Sequence, residues 1–88
     1  MRLLAIDPGS THSAYVVVDD DLEPIWFDKI PNQDLLQLRH LATADHVAIE
    51  QISHYGTGMP AGQTVFDTCI WIGRFWQAIV DTHAELVD

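Results

Sequence analysis

The sequence predicts an α/β domain built on a mixed sheet, and three observations carry that expectation. Two short apolar runs each end in an acid, Leu3-Leu4-Ala5-Ile6-Asp7 and Val47-Ala48-Ile49-Glu50. Between them lies an alternating, valine-rich stretch at 12–19, and β-branched residues at a period of two favour a strand. Beyond the second run, residues 61–82 change to three- and four-residue apolar spacing, the period of a helix.

Each element follows from local pattern. Residues 2–7 form a first strand, closed at once by Pro8-Gly9. An apolar run bounded by such a turn signal reads as a strand buried on both faces. Its last residue, Asp7, then stands at the rim of the sheet. Residues 12–19 form a second strand, and the polar run Asp19-Asp20-Asp21-Leu22-Glu23 connects it to a third at 24–30. Pro24 is tolerable there at the strand start or on an edge. These three make an antiparallel meander.

The period then changes. Asn32 can cap a helix over about 33–43, with Leu35, Leu38 and Leu41 on one face and Leu36 beside them. Residues 46–50 form a fourth strand, and a glycine-bearing loop at 51–60 leads to the long helix 61–82. That helix carries one stripe of Val65, Cys69, Ile72, Trp76 and Ile79 and a second of Phe66, Ile70 and Phe75. Apolar over so much of its circumference, it is expected to be covered on more than one side. Ala84-Glu85-Leu86-Val87 opens a fifth strand. No repeat or linker-like stretch divides the chain, so residues 1–88 are read as one domain.

Composition narrows the function. Hydrophobic residues at 48% and three tryptophans point to a folded core rather than disorder. A chain of this size buries about 60–65% of its unfolded surface, an adequate core without much surplus. No apolar run approaches the roughly 20 residues that span a bilayer, and the amino terminus lacks the pattern of a signal peptide. The single Cys69 excludes an internal disulfide and suits a reducing compartment, so a cytoplasmic location is expected. Thirteen acids against four bases give a net charge of −9, which repels polyanions and offers few contacts to phosphate.

Two strands that each end in an acid place Asp7 and Glu50 as a pair of carboxylates converging on a metal ion. An acid before Pro-Gly is also a common turn residue, but a partly buried carboxylate closing an apolar strand needs a partner. Asp67 suits the helix dipole and reads as structural. Cys69 reads as core packing, and Trp71 and Trp76 as core or interface. Arg74 would meet a phosphate or pair with an acid. His12, His40, His46 and His83 show no metal-ligand spacing. In the loop, His54 and Tyr55 could touch a substrate, although histidines and aromatics in loops are commonly incidental.

The element order, with acids ending strands one and four, resembles the ribonuclease H-like arrangement. Within it, Ala5-Ile6-Asp7-Pro8-Gly9 is similar to the opening of RuvC-type Holliday-junction resolvases. Val47-Ala48-Ile49-Glu50, Tyr55-Gly56 and Val65-Phe66-Asp67-Thr68-Cys69-Ile70-Trp71-Ile72-Gly73-Arg74-Phe75 look like RuvC-like nucleases of phages and prophages. The resemblance covers nearly the whole chain. It implies a metal-dependent endonuclease that hydrolyses phosphodiester bonds in branched DNA, with Asp7 and Glu50 as catalytic metal ligands. Two Mg²⁺ ions, with Mn²⁺ as substitute, would lie about 4 Å apart, activating water and neutralising the leaving oxygen. Gly9 and Ser10, with Tyr55 and Gly56 in the loop, would contact the substrate. The family's remaining acids sit on a helix beyond strand five. The resemblance therefore implies that a carboxy-terminal part is missing here and that these 88 residues alone are weakly active or inactive. RuvC-like enzymes pair through helices, so a homodimer through 61–82 is expected.

Two other readings remain at this point. One is a non-catalytic dimeric binding module that kept the fold. The other treats Asp7-Pro8-Gly9-Ser10-Thr11 as the phosphate-binding turn of an actin- or sugar-kinase-like ATPase, although Thr11 falls one place later than that turn requires.

Overall fold

The computed structural model describes residues 2–38, 43–51 and 62–79, together with the backbone of 83–87. Five strands form a single mixed sheet: β1 (Leu3–Asp7), β2 (His12–Val18), β3 (Pro24–Pro31), β4 (His46–Glu50) and β5 (His83–Val87). Their order across the sheet is β3-β2-β1-β4-β5. The first three strands are the expected antiparallel meander, whereas β4 and β5 run parallel to β1. Two helices accompany them, α1 (Asn32–Leu36) and α2 (Gln63–Ala78).

Parallel pairing of β1 with β4 has one decisive consequence. Leu4 pairs in register with Val47, Ala5 with Ala48 and Ile6 with Ile49, so both strands finish at the same edge of the sheet. Alternation then sends Leu4, Ile6, Tyr15, Val17, Val47 and Ile49 to one face, where all are buried. Leu35 from α1 and Ile72, Phe75 and Ile79 from α2 and its end complete that core. The opposite face carries Leu3, Ala5, Ala14, Val16 and Ala48, which are half-buried. Burial of β1 and β4 on both faces, expected from their apolar runs, is thus complete on one face alone among the described residues.

The β2–β3 connection is held by backbone bonds from the Asp19 amide to the Glu23 carbonyl and from the Leu22 amide to the Asp19 carbonyl, and by the Asp19 side chain. The carboxylate of Asp19 accepts hydrogen bonds from the amides of Asp21 (2.9 Å) and Glu23 (3.1 Å). This is the local competition with water that makes aspartate a turn former. Leu22 adopts φ 60° there, at a strain cost that glycine would avoid. Across β2 and β3, the indole of Trp26 donates to the Tyr15 hydroxyl at 2.7 Å.

Three expectations need correction. The first helix starts at Asn32 and runs to Leu36, with Gln37 closing it; residues 39–42, which the predicted span included, lie outside the described residues. Asn32 is its first residue and not its cap, because its side chain is engaged elsewhere. The long helix is Gln63–Ala78, shorter than 61–82, and ends before the strand that begins at His83.

The third correction concerns which face of α2 is buried. The seam is Thr68, Ile72, Phe75 and Ile79, rotated from the predicted stripe so that Cys69 faces solvent. Phe75 is fully buried, whereas the larger rings Trp71 and Trp76 on either side of it are half-buried against the core. Thr68 tolerates its buried place because its hydroxyl donates to the Thr64 carbonyl at 2.8 Å. Phe66 and Ile70, expected to be covered, are 55% and 59% exposed. Arg74 lies 4.3 Å from the Trp71 ring centroid, a cation–π contact that the sequence did not suggest. Asp67 accepts a hydrogen bond from Gln63 at 2.8 Å, as a structural residue on the first turns of a helix does.

Candidate metal centre

Asp7 and Glu50 are the last residues of adjacent parallel strands, each exposed and each two positions beyond a half-buried alanine of the same face. They line a groove of about 370 Å³ with Ala5, Ala14, Val16 and Ala48 among its walls. The groove exists because three of those neighbours are alanines. Ala5 pairs with Val16 on one side and Ala48 on the other, and Asp7 pairs with Ala14, so the floor is low where larger residues would fill it. Ligand sites at the carboxyl ends of strands are a general feature of α/β sheets.

The two carboxyl groups meet. Glu50 is hydrogen-bonded to Asp7, and its pKa is raised above the ordinary carboxylate value of 4.5. The hydrogen bond to Asp7 is the main cause, followed by the negative charge of Asp7 and then by desolvation. A proton on Glu50 is thus held more tightly than on a free carboxyl, because it can be donated to the Asp7 carboxylate and because ionisation would set two negative charges together. Two carboxylates close enough to raise the pKa of one of them are also a pair whose repulsion a cation relieves. Both supply hard oxygen donors from rigid strand ends, the donor type that Mg²⁺ and Mn²⁺ prefer. The fit to a divalent cation therefore rests on donor chemistry and on the contact itself. Among the described residues, no group of three or more His, Cys, Asp or Glu gathers as a metal cluster.

The raised value fixes a pH dependence. Below the ordinary carboxylate range both folded and unfolded chains hold the Glu50 proton, and its stabilising contribution is fully present. As pH rises toward the elevated folded value, the unfolded chain releases the proton first, so stability falls through that window. Glu50→Gln keeps the hydrogen-bond donor and removes the titration. Its stability advantage over wild type is expected to open as pH climbs above about 4 and then level off. Urea denaturation of both proteins across pH 3–8 checks this, and parallel profiles would contradict the raised Glu50 pKa.

Residues around the rim hold the backbone. Gly9 follows Asp7 at the turn, and a Cβ there would overlap the carbonyl oxygen of His12, so the turn requires glycine. Its amide donates to Ser13 Oγ at 3.1 Å, and its carbonyl accepts from Asn32 Nδ2 at 3.0 Å. Ser13 and Asn32 were not legible as site residues from sequence. The available signal was Ser13 itself, a polar residue in phase with the buried Tyr15 and Val17. Ser10 is half-buried in the same turn. Tyr55 and Gly56, expected to contact substrate, and His54 beside them lie outside the described residues.

No family model and no curated protein matches this sequence. Solved structures do match. The chain is similar to Thermus thermophilus RuvC in complex with a Holliday junction substrate, with a TM-score of 0.71, 16% identity and 98% of this chain covered. It is also similar to a second Thermus thermophilus RuvC structure, with a TM-score of 0.64, 18% identity and again 98% covered. The chain spans 62% and 61% of the length of those two proteins. The fold is RuvC-like, as the ribonuclease H-like element order implied.

Proposed function

We propose that this chain is the metal-binding portion of a RuvC-like endonuclease that hydrolyses phosphodiester bonds in branched DNA. The observation that carries this reading is the contact between Asp7 and Glu50 at the ends of paired parallel strands within a RuvC-like fold. Asp7 and Glu50 would hold a divalent cation, Mg²⁺ or Mn²⁺, with water and substrate phosphate oxygens completing its coordination, since Mg²⁺ commonly uses one or two carboxylates. When bound, such an ion activates water and neutralises developing charge on a leaving oxygen.

The chain's own residues do the rest. A cation favours the ionised form of Glu50, whose pKa is raised, so affinity should rise with pH. Strands β1 and β4 fix both carboxylates without a loop to reorganise. Lys29 pairs in register with Ala14, which pairs with Asp7, so alternation puts a cation on the same face across the strand from the acids. That is one of only four Lys and Arg residues, and with a net charge of −9 the binding of DNA by this chain depends on the divalent ion to offset repulsion.

The test is a Mn²⁺ titration followed by amide NMR, with binding of a four-way DNA junction measured in Mg²⁺ and in EDTA. Selective broadening around Asp7, Gly9 and Glu50, with tighter junction binding in Mg²⁺, is the expected result. Diffuse broadening along Asp19–Asp21 with the rim unaffected would overturn it. A second reading, a non-catalytic module that pairs through α2, draws support from exposed Phe66 and Ile70. Concentration-dependent sedimentation that Phe66→Ser abolishes, together with no effect of Mg²⁺ on DNA, would favour it.

A further inference from the structure

Two fully buried polar side chains sit directly behind the rim. Ser13 and Asn32 are 0% and 1% exposed, in a fold whose remaining buried positions are almost all apolar. Burial of such groups is costly unless each finds its partners. Here the bonds close a ring. The Gly9 amide donates to Ser13 Oγ at 3.1 Å, the Ser13 hydroxyl donates to Asn32 Oδ1 at 2.5 Å, and Asn32 Nδ2 donates to the Gly9 carbonyl at 3.0 Å. The Asn32 amide adds a fourth bond, to the Thr11 carbonyl at 2.9 Å.

The ring grips both backbone groups of one residue, and that residue is Gly9. It lies two positions after Asp7, where the chain must leave β1, turn and return as β2. Gly9 has no side chain to restrict it, and glycine samples more backbone conformations than any other residue. The bonds from Ser13 and Asn32 remove that freedom. Because Asn32 opens α1, the same ring fastens the turn to the end of β3 and the start of α1. A helix cap on Asn32 would have satisfied α1 alone. Its side chain instead serves the turn.

We propose that Ser13 and Asn32 are positioning residues, whose ring of hydrogen bonds around Gly9 holds the end of β1 so that the Asp7 carboxylate stays turned onto Glu50. This rests on the reading of that pair as a cation site. Residues behind the ligands act by fixing ligand orientation, and losing such partners weakens metal binding with the ligands themselves unchanged.

The experiment compares Mn²⁺ affinity, read from selective broadening of the Asp7 and Glu50 amides, with thermal stability in the same variants. Ser13→Ala removes one member of the ring with little change of volume, and Asn32→Ala removes two of its bonds. Val17→Ala is the control, a buried truncation on β2 away from the turn. Ser13→Ala and Asn32→Ala are expected to weaken Mn²⁺ binding roughly 10-fold, while Val17→Ala loses stability and keeps wild-type affinity. Either ring variant that folds is enough to decide. Wild-type affinity in the ring variants, or an equal loss in Val17→Ala, would overturn the positioning role. A wild-type chain that shows no selective broadening at Asp7 and Glu50 would instead overturn the cation site itself, a result distinct from an indifferent ring.

Discussion

Asp7→Asn is expected to remove selective Mn²⁺ binding at the rim, weakening it by about 10- to 100-fold, while leaving the fold intact. Asparagine has nearly the shape of aspartate, so the turn at Pro8-Gly9 and its bonds to Ser13 and Asn32 are undisturbed. What changes is charge. One of two anionic donors disappears, and cation affinity follows ligand charge. The substitution also removes the negative neighbour that raises the Glu50 pKa, so Glu50 should titrate closer to its ordinary range. Thermal stability at neutral pH should hold or rise, since the repulsion between the two carboxylates is gone. Loss of metal binding with retained stability separates a site from a scaffold residue. In a complete enzyme the same change should abolish metal-dependent cleavage of branched DNA, and full activity would sink the assignment of Asp7.

Phe75→Ala should have the largest effect on folding. Phe75 is fully buried at the centre of the α2 seam, against a core that includes Leu4, Ile6, Leu35, Val47 and Ile49. Truncating a buried phenylalanine costs about 3–5 kcal/mol, from lost transfer energy and the cavity left behind. Small domains have a total stability of about 5–15 kcal/mol, so much of the margin would be lost. A fall in Tm of roughly 15 °C or more follows for a domain of this size. Phe66 stands two and a half turns earlier on the same helix and is 55% exposed. Phe66→Ala should therefore change stability by no more than about 0.5 kcal/mol. Urea denaturation of the two variants side by side tests the rotation of α2. Equal losses would mean that the helix buries a different face.

That contrast marks where pattern alone stops. The helix carries Phe66, Cys69, Ile70, Trp71, Ile72, Phe75 and Trp76 in close succession, so more than one stripe satisfies helical periodicity. Sequence spacing favoured a seam through Cys69, and the sheet selected the one through Phe75. The reason is steric. A helix laid on a sheet buries the face whose side chains fit the available depth, and that depth depends on Leu4, Ile6, Val47 and Ile49 from two strands, which take Phe75 fully and leave the larger Trp71 and Trp76 half-buried. The start of α1 was misread for a related reason. Asn32 is a good cap by type, but a longer-range partner in Ser13 took its side chain.

The strands were far more legible. An apolar run broken by Pro8-Gly9 and a valine-rich stretch at 14–18 have few alternative readings, and the acids ending the first and fourth strands were visible as residues at a rim. By itself, then, the sequence determined the strands of the meander, the position of Asp7 and Glu50 at strand ends, and the need for glycine after the first of them. These are short-range properties, set by side-chain period and turn chemistry within a few residues. Tertiary structure decided the register in which β4 runs parallel to β1, and with it how closely two acids 43 positions apart, expected from the sequence to converge, come together. It also decided that alanines at 5, 14 and 48 share one face and open a groove, and that Ser13 and Asn32 close a ring behind it. Such features depend on register between strands, which no local pattern specifies, because register is fixed by the packing of the whole sheet.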